Sequence, residues 1–78
     1  MRIIELHPPF NGGTLYWGFA ESARGRRYEF TATLDGDARG NAFREEPTEL
    51  SDGRRLWLTV RTPPALRDAV RKVVRTTH

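Results

Sequence analysis

The 78-residue sequence contains no cysteine, only one lysine and no long apolar run. Without cysteine it has no disulfide framework and no thiolate metal site. No segment approaches the roughly 20 apolar residues that a membrane-spanning helix needs. Met1-Arg2 is followed by too few apolar residues for a signal peptide. We therefore expect a cytoplasmic protein without a membrane partner.

Groups that could carry out catalysis are also scarce. His7 and Glu5 could share one strand face, but two ligands without a third do not make a metal site. A cluster of acidic residues precedes Asp52 and is typical of a solvated loop, because acid–base catalysis needs carboxylates in contrasting environments. Its members are Glu45, Glu46 and Glu49. We predict no enzymatic activity, no catalytic residue, no metal site and no cofactor.

Size and charge indicate one small domain, spanning residues 1–78, with a basic surface. The chain has 13 basic and 10 acidic residues, and every basic residue except Lys72 is arginine. Arginine is the preferred side chain for binding phosphate and carboxylate groups. A GC-rich coding genome or a hot-adapted host would produce the same bias, and composition leaves the two interpretations open.

The stretch from Gly53 to Arg75 predicts one strand that runs directly into one amphipathic helix. Large apolar residues alternate with others between Leu56 and Arg61, as in a strand. Thr62 is a candidate helix cap, and Pro63 suits the first helical position. An apolar stripe at helical spacing follows, made of Leu66, Ala69, Val70, Val73 and Val74.

The preceding sequence predicts further strands. The short β-branched run Arg2–Leu6 and the alternating patterns of Thr14–Glu21 and Arg27–Leu34 each predict a strand. A turn at Asp52-Gly53 could close a hairpin with a short strand near Thr48. The predicted fold is α+β, an antiparallel β-sheet of four to five strands with one C-terminal α-helix packed on one face. The sheet residues expected in its core are Leu15, Trp17, Phe19, Tyr28, Phe30, Leu34, Leu56, Leu58 and Val60.

One helix can cover only one face of a sheet, so the other face is free for water or a partner. Tyr16 and Trp57 alternate with residues assigned to the core, which predicts them on the uncovered face, with Thr59 and Arg61 beside Trp57. Exposed tyrosine and tryptophan are typical anchors of protein interfaces. These four residues form the predicted protein-binding site. In the alternative, residues 39–50 fold over the aromatic residues as a loop.

A second candidate surface is basic. If the Arg24-Gly25 and Asp52-Gly53 turns lie at the same end of the sheet, five arginines cluster there: Arg24, Arg26, Arg27, Arg54 and Arg55. Arginine clusters bind phosphates, and nearby aromatic rings can stack on bases. In the alternative, these arginines are simply the charged residues that hairpin ends ordinarily carry, and they form no binding site.

Two short motifs resemble the plant ethylene-response type of DNA-binding domain. They are Tyr16-Trp17-Gly18-Phe19 and Arg55-Leu56-Trp57-Leu58, followed by a C-terminal helix. The resemblance covers about residues 16 to 75 and implies a three-stranded sheet that enters the DNA major groove. Trp17 stands where the family has an arginine, and the long central loop departs from the family pattern, so no site residue is carried over.

These patterns lead to three functional hypotheses. The first is a non-enzymatic regulator or inhibitor that binds a protein partner, of the kind that phages and mobile elements carry. The second is a nucleic-acid-binding module that uses the arginine cluster. The third is a homodimer formed through a sheet edge or the uncovered face.

Overall fold

The structure is a computed structural model that describes residues 1–49 and 52–77. Five strands are followed by one helix: β1 (Arg2–His7), β2 (Leu15–Glu21), β3 (Arg27–Thr33), β4 (Asn41–Glu49), β5 (Arg55–Arg61) and α1 (Pro64–Thr77). The strands form one antiparallel sheet in the order β1-β2-β3-β4-β5. The predicted α+β fold is therefore confirmed, with the larger of the two expected strand numbers.

The helix begins one residue later than the sequence predicted. The Pro63 carbonyl accepts the amide of Arg67 at 3.0 Å, so Pro63 precedes the helix and Pro64 is its first residue. Proline fits this position because the first amide of a helix has no intrahelical acceptor. The predicted apolar stripe is confirmed by three buried residues, Leu66, Val70 and Val74.

A three-residue loop fixes the register of the hairpin between β2 and β3. The Ser22 amide donates to the Arg26 carbonyl at 2.8 Å, and Gly25 has a φ of 81°. Three-residue hairpin loops commonly have glycine in this left-handed conformation. As a result Glu21 pairs with Arg27, and even-numbered residues of β2 lie opposite even-numbered residues of β3.

This register corrects the face assigned to β2. Directly paired residues lie on the same face of a sheet. Phe30 is 2% exposed beneath α1, and its partner Gly18 faces α1 with it. The even-numbered residues Tyr16 and Ala20 are buried on that face too. The prediction that Leu15, Trp17 and Phe19 line the core is therefore wrong. It places odd-numbered residues of β2 on the same face as even-numbered residues of β3, which requires a hairpin loop with an even number of residues.

Gly18 marks a close approach of two backbones. A Cβ atom at this position would lie against the Glu5 carbonyl oxygen on β1, 3.0 Å from the carbonyl carbon and 3.1 Å from Cζ of Phe30. The Phe30 ring therefore occupies the space that a β2 side chain would need. A strand glycine is typical of such an approach.

The rest of the predicted sheet core is confirmed in part. Phe30 belongs to the core, and Tyr28 packs against it. Leu34 lies beyond the end of β3 and is 53% exposed, so its placement in the core is wrong. On β5, Leu56 and Val60 are half-buried, whereas Leu58 remains 40% exposed.

Residues 41–49 form β4 inside the sheet and are not a loop over the aromatic residues. β4 pairs with β5 over most of its length. Its pairing with β3 is limited to Tyr28 opposite Arg44 and Glu29 opposite Phe43. The two strands separate beyond these pairs and leave a gap in the sheet.

Candidate functional site: the open face of the sheet

We call the face of the sheet opposite α1 the open face. It carries five apolar side chains that we call the apolar patch: Leu15, Trp17, Phe19, Phe43 and Trp57. Four of them are among the exposed large hydrophobic residues of the chain, Leu15 at 48%, Phe43 at 46%, Trp17 at 43% and Trp57 at 37%. Contiguous exposed apolar surface of this kind marks binding sites in soluble proteins.

The aromatic rings of the patch contact one another across the sheet. His7 stacks on Trp17 with ring centroids 4.5 Å apart, and the edge of Phe19 meets Trp17 at 5.5 Å. Phe19 and Trp57 are 6.3 Å apart. Three strand spacings separate β2 from β5, about 14 Å in a flat sheet. The Phe19 and Trp57 side chains therefore lean towards each other over the intervening strands.

A groove of about 300 Å³ opens where β3 and β4 separate. Leu15, Trp17 and Phe43 form its apolar wall, and Glu29 and Asn41 contribute polar groups. Its volume lies at the lower end of the range for small-ligand pockets. The groove can accept one or two apolar side chains of a partner.

Charged side chains around the patch are balanced in sign. By strand alternation the basic members are Arg2, Arg27, Arg55 and Arg61, and the acidic members are Glu5, Glu21, Glu29 and Glu45. Several interact directly: Arg2 with Glu21 at 3.3 Å, and Arg55 with Glu45 at 3.5 Å. Arg27 lies 5.6 Å from the centre of the Phe19 ring, a cation–π distance. The open face thus has no excess of positive charge.

The structure brings three of the four residues of the predicted protein-binding site together. Trp57, Thr59 and Arg61 lie on the open face of β5, and all are exposed. The placement of Tyr16 there is wrong, because Tyr16 is 4% exposed in the core.

Sequence reasoning missed the remaining members of the apolar patch. The alternation in β2 predicts Leu15, Trp17 and Phe19 in the core, and Phe43 lies in the segment 39–50 that the sequence offers as a loop. The odd number of residues in the Ala23–Gly25 loop is the feature of the sequence that could have placed the β2 residues on the open face.

Four of the five arginines of the predicted cluster lie together at the predicted end of the sheet, without Arg54, and carboxylates accompany them. Arg24, Arg26, Arg27 and Arg55 line one depression together with Glu45 and Glu46. Arg54 pairs with Asp52 at 2.5 Å, and Arg44 pairs with Glu46 at 2.8 Å. A phosphate group at this end would have to displace neighbouring carboxylates.

One ion-pair network ties α1 to the loop after β3. The Asp37 carboxylate is 13% exposed and accepts a 2.8 Å hydrogen bond from Nε of Arg39, and Nη2 of Arg67 lies 3.4 Å away. The hydrogen bond from Arg39 lowers the pKa of Asp37 below its ordinary value of 3.8. Burial opposes this shift, and the positive charges of Arg39 and Arg67 reinforce it. The network lies outside the open face and has a structural role.

Among residues 1–49 and 52–77, no group of three or more histidine or acidic side chains could hold a metal ion. In the same part of the chain, no helix is long and apolar enough to cross a membrane. No protein-family model, curated protein or solved structure matches the chain. The sheet has five strands where the ethylene-response resemblance implies three.

Proposed function

We propose that this chain is a non-enzymatic interaction protein that binds another protein through the open face. The observation that supports this most is the apolar patch, whose two tryptophan rings each contact Phe19 yet stay about two-fifths exposed. Tryptophan truncations are among the most damaging at protein interfaces. The patch has the composition of an interface core, with charged residues of both signs around it.

The charge pattern favours a protein over a nucleic acid on this face. Nucleic-acid sites concentrate positive charge because binding must neutralise phosphates. Here four arginines are matched by four glutamates. Such a mixed rim suits a protein partner with complementary charges, which would set the orientation of binding and the rate of association.

The proposed mechanism is steric or competitive regulation in the cytoplasm. An apolar side chain of the partner would enter the groove beside Trp17 and Phe43, while Trp57 would pack against the surrounding partner surface. Binding would cover a functional surface of the partner without any chemical step.

Affinity capture with matched variants tests this proposal. The full chain, its Trp57→Ala variant and its Leu34→Ala variant would each be immobilised, and the proteins retained from cell lysate would be compared by quantitative mass spectrometry. Leu34 is an exposed apolar residue away from the open face. We expect a protein that the wild type and Leu34→Ala retain and that Trp57→Ala loses by about tenfold or more. Equal retention by all three would contradict the proposal.

A second candidate function, nucleic-acid binding, is favoured by the depression that Arg24, Arg26, Arg27 and Arg55 line together. Fluorescence anisotropy with short labelled DNA and RNA at about 50 and 200 mM salt tests it. Binding that collapses at the higher salt and disappears in Arg26→Glu would support this function. Absence of binding at low salt would exclude it.

A further inference from the structure

The strand β5 is an edge of the sheet that lacks the usual protection. The opposite edge, β1, has a register shift between Ile3 and Glu5, whereas the two prolines that follow β1 have counterparts in Pro63 and Pro64 after β5. A bulge in an edge strand hinders pairing with another chain. β5 has no proline between Arg55 and Arg61, and its charged residues stand only at its two ends. In the described part of the chain, no strand lies beyond it.

The backbone groups of β5 that point outwards can be assigned from the register. The Thr62 amide donates to the Gly40 carbonyl at 3.0 Å, so Thr62 points towards β4. Successive residues of a strand direct their backbone groups to alternate sides. Val60 and Leu58 therefore point inwards as Thr62 does, and the amides and carbonyls of Trp57, Thr59 and Arg61 point away from the sheet.

We propose that a second copy of this chain pairs antiparallel with β5 about a twofold axis at Thr59. Each outward residue then lies opposite an outward residue of the partner, as the hydrogen-bond pattern requires. Thr59 faces the partner's Thr59 and exchanges two hydrogen bonds with it. Trp57 faces the partner's Arg61, and Arg61 faces the partner's Trp57. Both chains therefore contribute the same residues to the contact, as in any isologous interface.

Charge and proline positions select this register over its two neighbours. An axis at Leu58 would set Arg55 directly opposite the partner's Arg61, and like charges in this position are destabilising. An axis at Val60 would set Trp57 opposite the partner's Pro63, which has no amide to donate. The Thr59 register opposes no like charges, and it sets the partner's Pro63 only against Arg55 at the end of the strand, outside the three central pairs.

Side chains match on both faces of the proposed junction. On the open face, the guanidinium of the partner's Arg61 can lie over the Trp57 ring. On the other face, Leu58 would contact the partner's Val60. Leu58 is 40% exposed although it lies on the helix side, since α1 approaches β1 at the far edge of the sheet. The dimer covers this leucine, and on the open face it covers only part of Trp57, so the other four residues of the apolar patch stay accessible. The backbone pairing of β5 does not depend on the proposed function.

The oligomeric state of the full chain tests the proposal. We expect light scattering to give the mass of two chains at high concentration and a lower mass on dilution. Thr59→Pro removes an outward amide without removing a bond to β4. It should weaken the dimer by at least about thirtyfold, because two central hydrogen bonds disappear. Thr59→Ala keeps the amide and should dimerise like the wild type. A monomeric wild type, or a dimeric Thr59→Pro variant, would overturn the proposal.

Two further variants keep the test decisive if proline disturbs the fold. Leu58→Glu places a charge against the partner's Val60 and should also give a folded monomer.

Because the chain has no cysteine, Thr59→Cys should form a disulfide across the axis, where hydrogen-bonded pairs have Cα atoms about 5.5 Å apart. Thr31→Cys, on the open face, should remain reduced under the same oxidation. Faster cross-linking at Thr31 would show pairing through the open face and overturn the β5 register.

Discussion

Replacing Gly18 by alanine should destabilise the protein severely, because β1 and Phe30 leave no room for a methyl group. The added carbon would lie 3.0 Å from the Glu5 carbonyl carbon and closer still to its oxygen. Carbon atoms normally pack at about 3.5–4.0 Å. The β1 backbone would therefore have to retreat by about 1 Å or more to clear the carbonyl oxygen, which weakens nearby β1–β2 hydrogen bonds of about 1 kcal/mol each.

Added to the overpacking of Phe30, this displacement should lower the free energy of unfolding by about 3 kcal/mol. A 78-residue domain has roughly 4–12 kcal/mol in total. Urea unfolding followed by circular dichroism measures the loss, and the midpoint should fall by about 2–3 M.

Gly25→Ala is the matched control for this prediction. A Cβ there would meet no atom within 4 Å, so its cost comes from the φ of 81° alone, about 1 kcal/mol. If Gly18→Ala were no more destabilising than Gly25→Ala, Gly18 could not lie between β1 and Phe30, and the face assigned to β2 would be wrong.

Three other substitutions test separate parts of the structure by urea unfolding. Phe30→Ala should cost about 3–5 kcal/mol, and a cost below about 1 kcal/mol would contradict its core position. Trp17→Ala should cost about 1–2 kcal/mol, less than Phe30→Ala, because the ring is 43% exposed but packs on His7 and Phe19, and it should reduce partner capture. The pKa of Asp37 is lowered in the folded state, so its contribution is complete above its ordinary pKa and is lost as the pH falls through the folded value. Asp37→Asn should therefore be less stable than the wild type at pH 7, and the difference should shrink near pH 3; a constant difference would refute this.

Local patterns in the sequence predicted the elements of the fold well. Alternation identified β2, β3 and β5 because one side of each strand packs and the other does not, whereas the sequence predicts only a short strand near Thr48 where β4 runs from Asn41 to Glu49. The stripe ending at Val74 identified the helix because its spacing follows the helical turn. A glycine inside a strand pattern, as at Gly18, is typical of a bulge or a close approach, and the contact with Glu5 shows the close approach.

The face of β2 could not be predicted from β2 alone. Both sets of alternating residues contain aromatic rings, and the larger set, with Trp17 and Phe19, was assigned to the core. The deciding feature is the hairpin loop, whose odd number of residues pairs Gly18 with Phe30. A shift of one residue in the pairing of β2 with β3 would have exchanged the residues on the two faces of β2.

Other features of the open face depend on contacts that are distant in sequence. The groove exists because β3 and β4 pair only at Tyr28 and Glu29, and no local pattern encodes such a separation. Burial of Tyr16 likewise follows from its pairing with Ala32 and from the packing of α1. The clustering of arginines at one end was predictable in outline, since alternate turns of a meander lie at the same end of the sheet.

Acrylamide quenching of tryptophan fluorescence tests the open face most directly, because both tryptophans of the chain lie there. Trp17→Phe and Trp57→Phe would each leave one reporter. We expect both reporters to be quenched as half-exposed indoles. Quenching of Trp17 should be equal at low and high protein concentration, whereas quenching of Trp57 should fall in part at high concentration, where the partner's Arg61 lies over its ring. Blue-shifted emission that acrylamide does not quench, in either variant, would show that the face is covered and would contradict its proposed role as a binding surface.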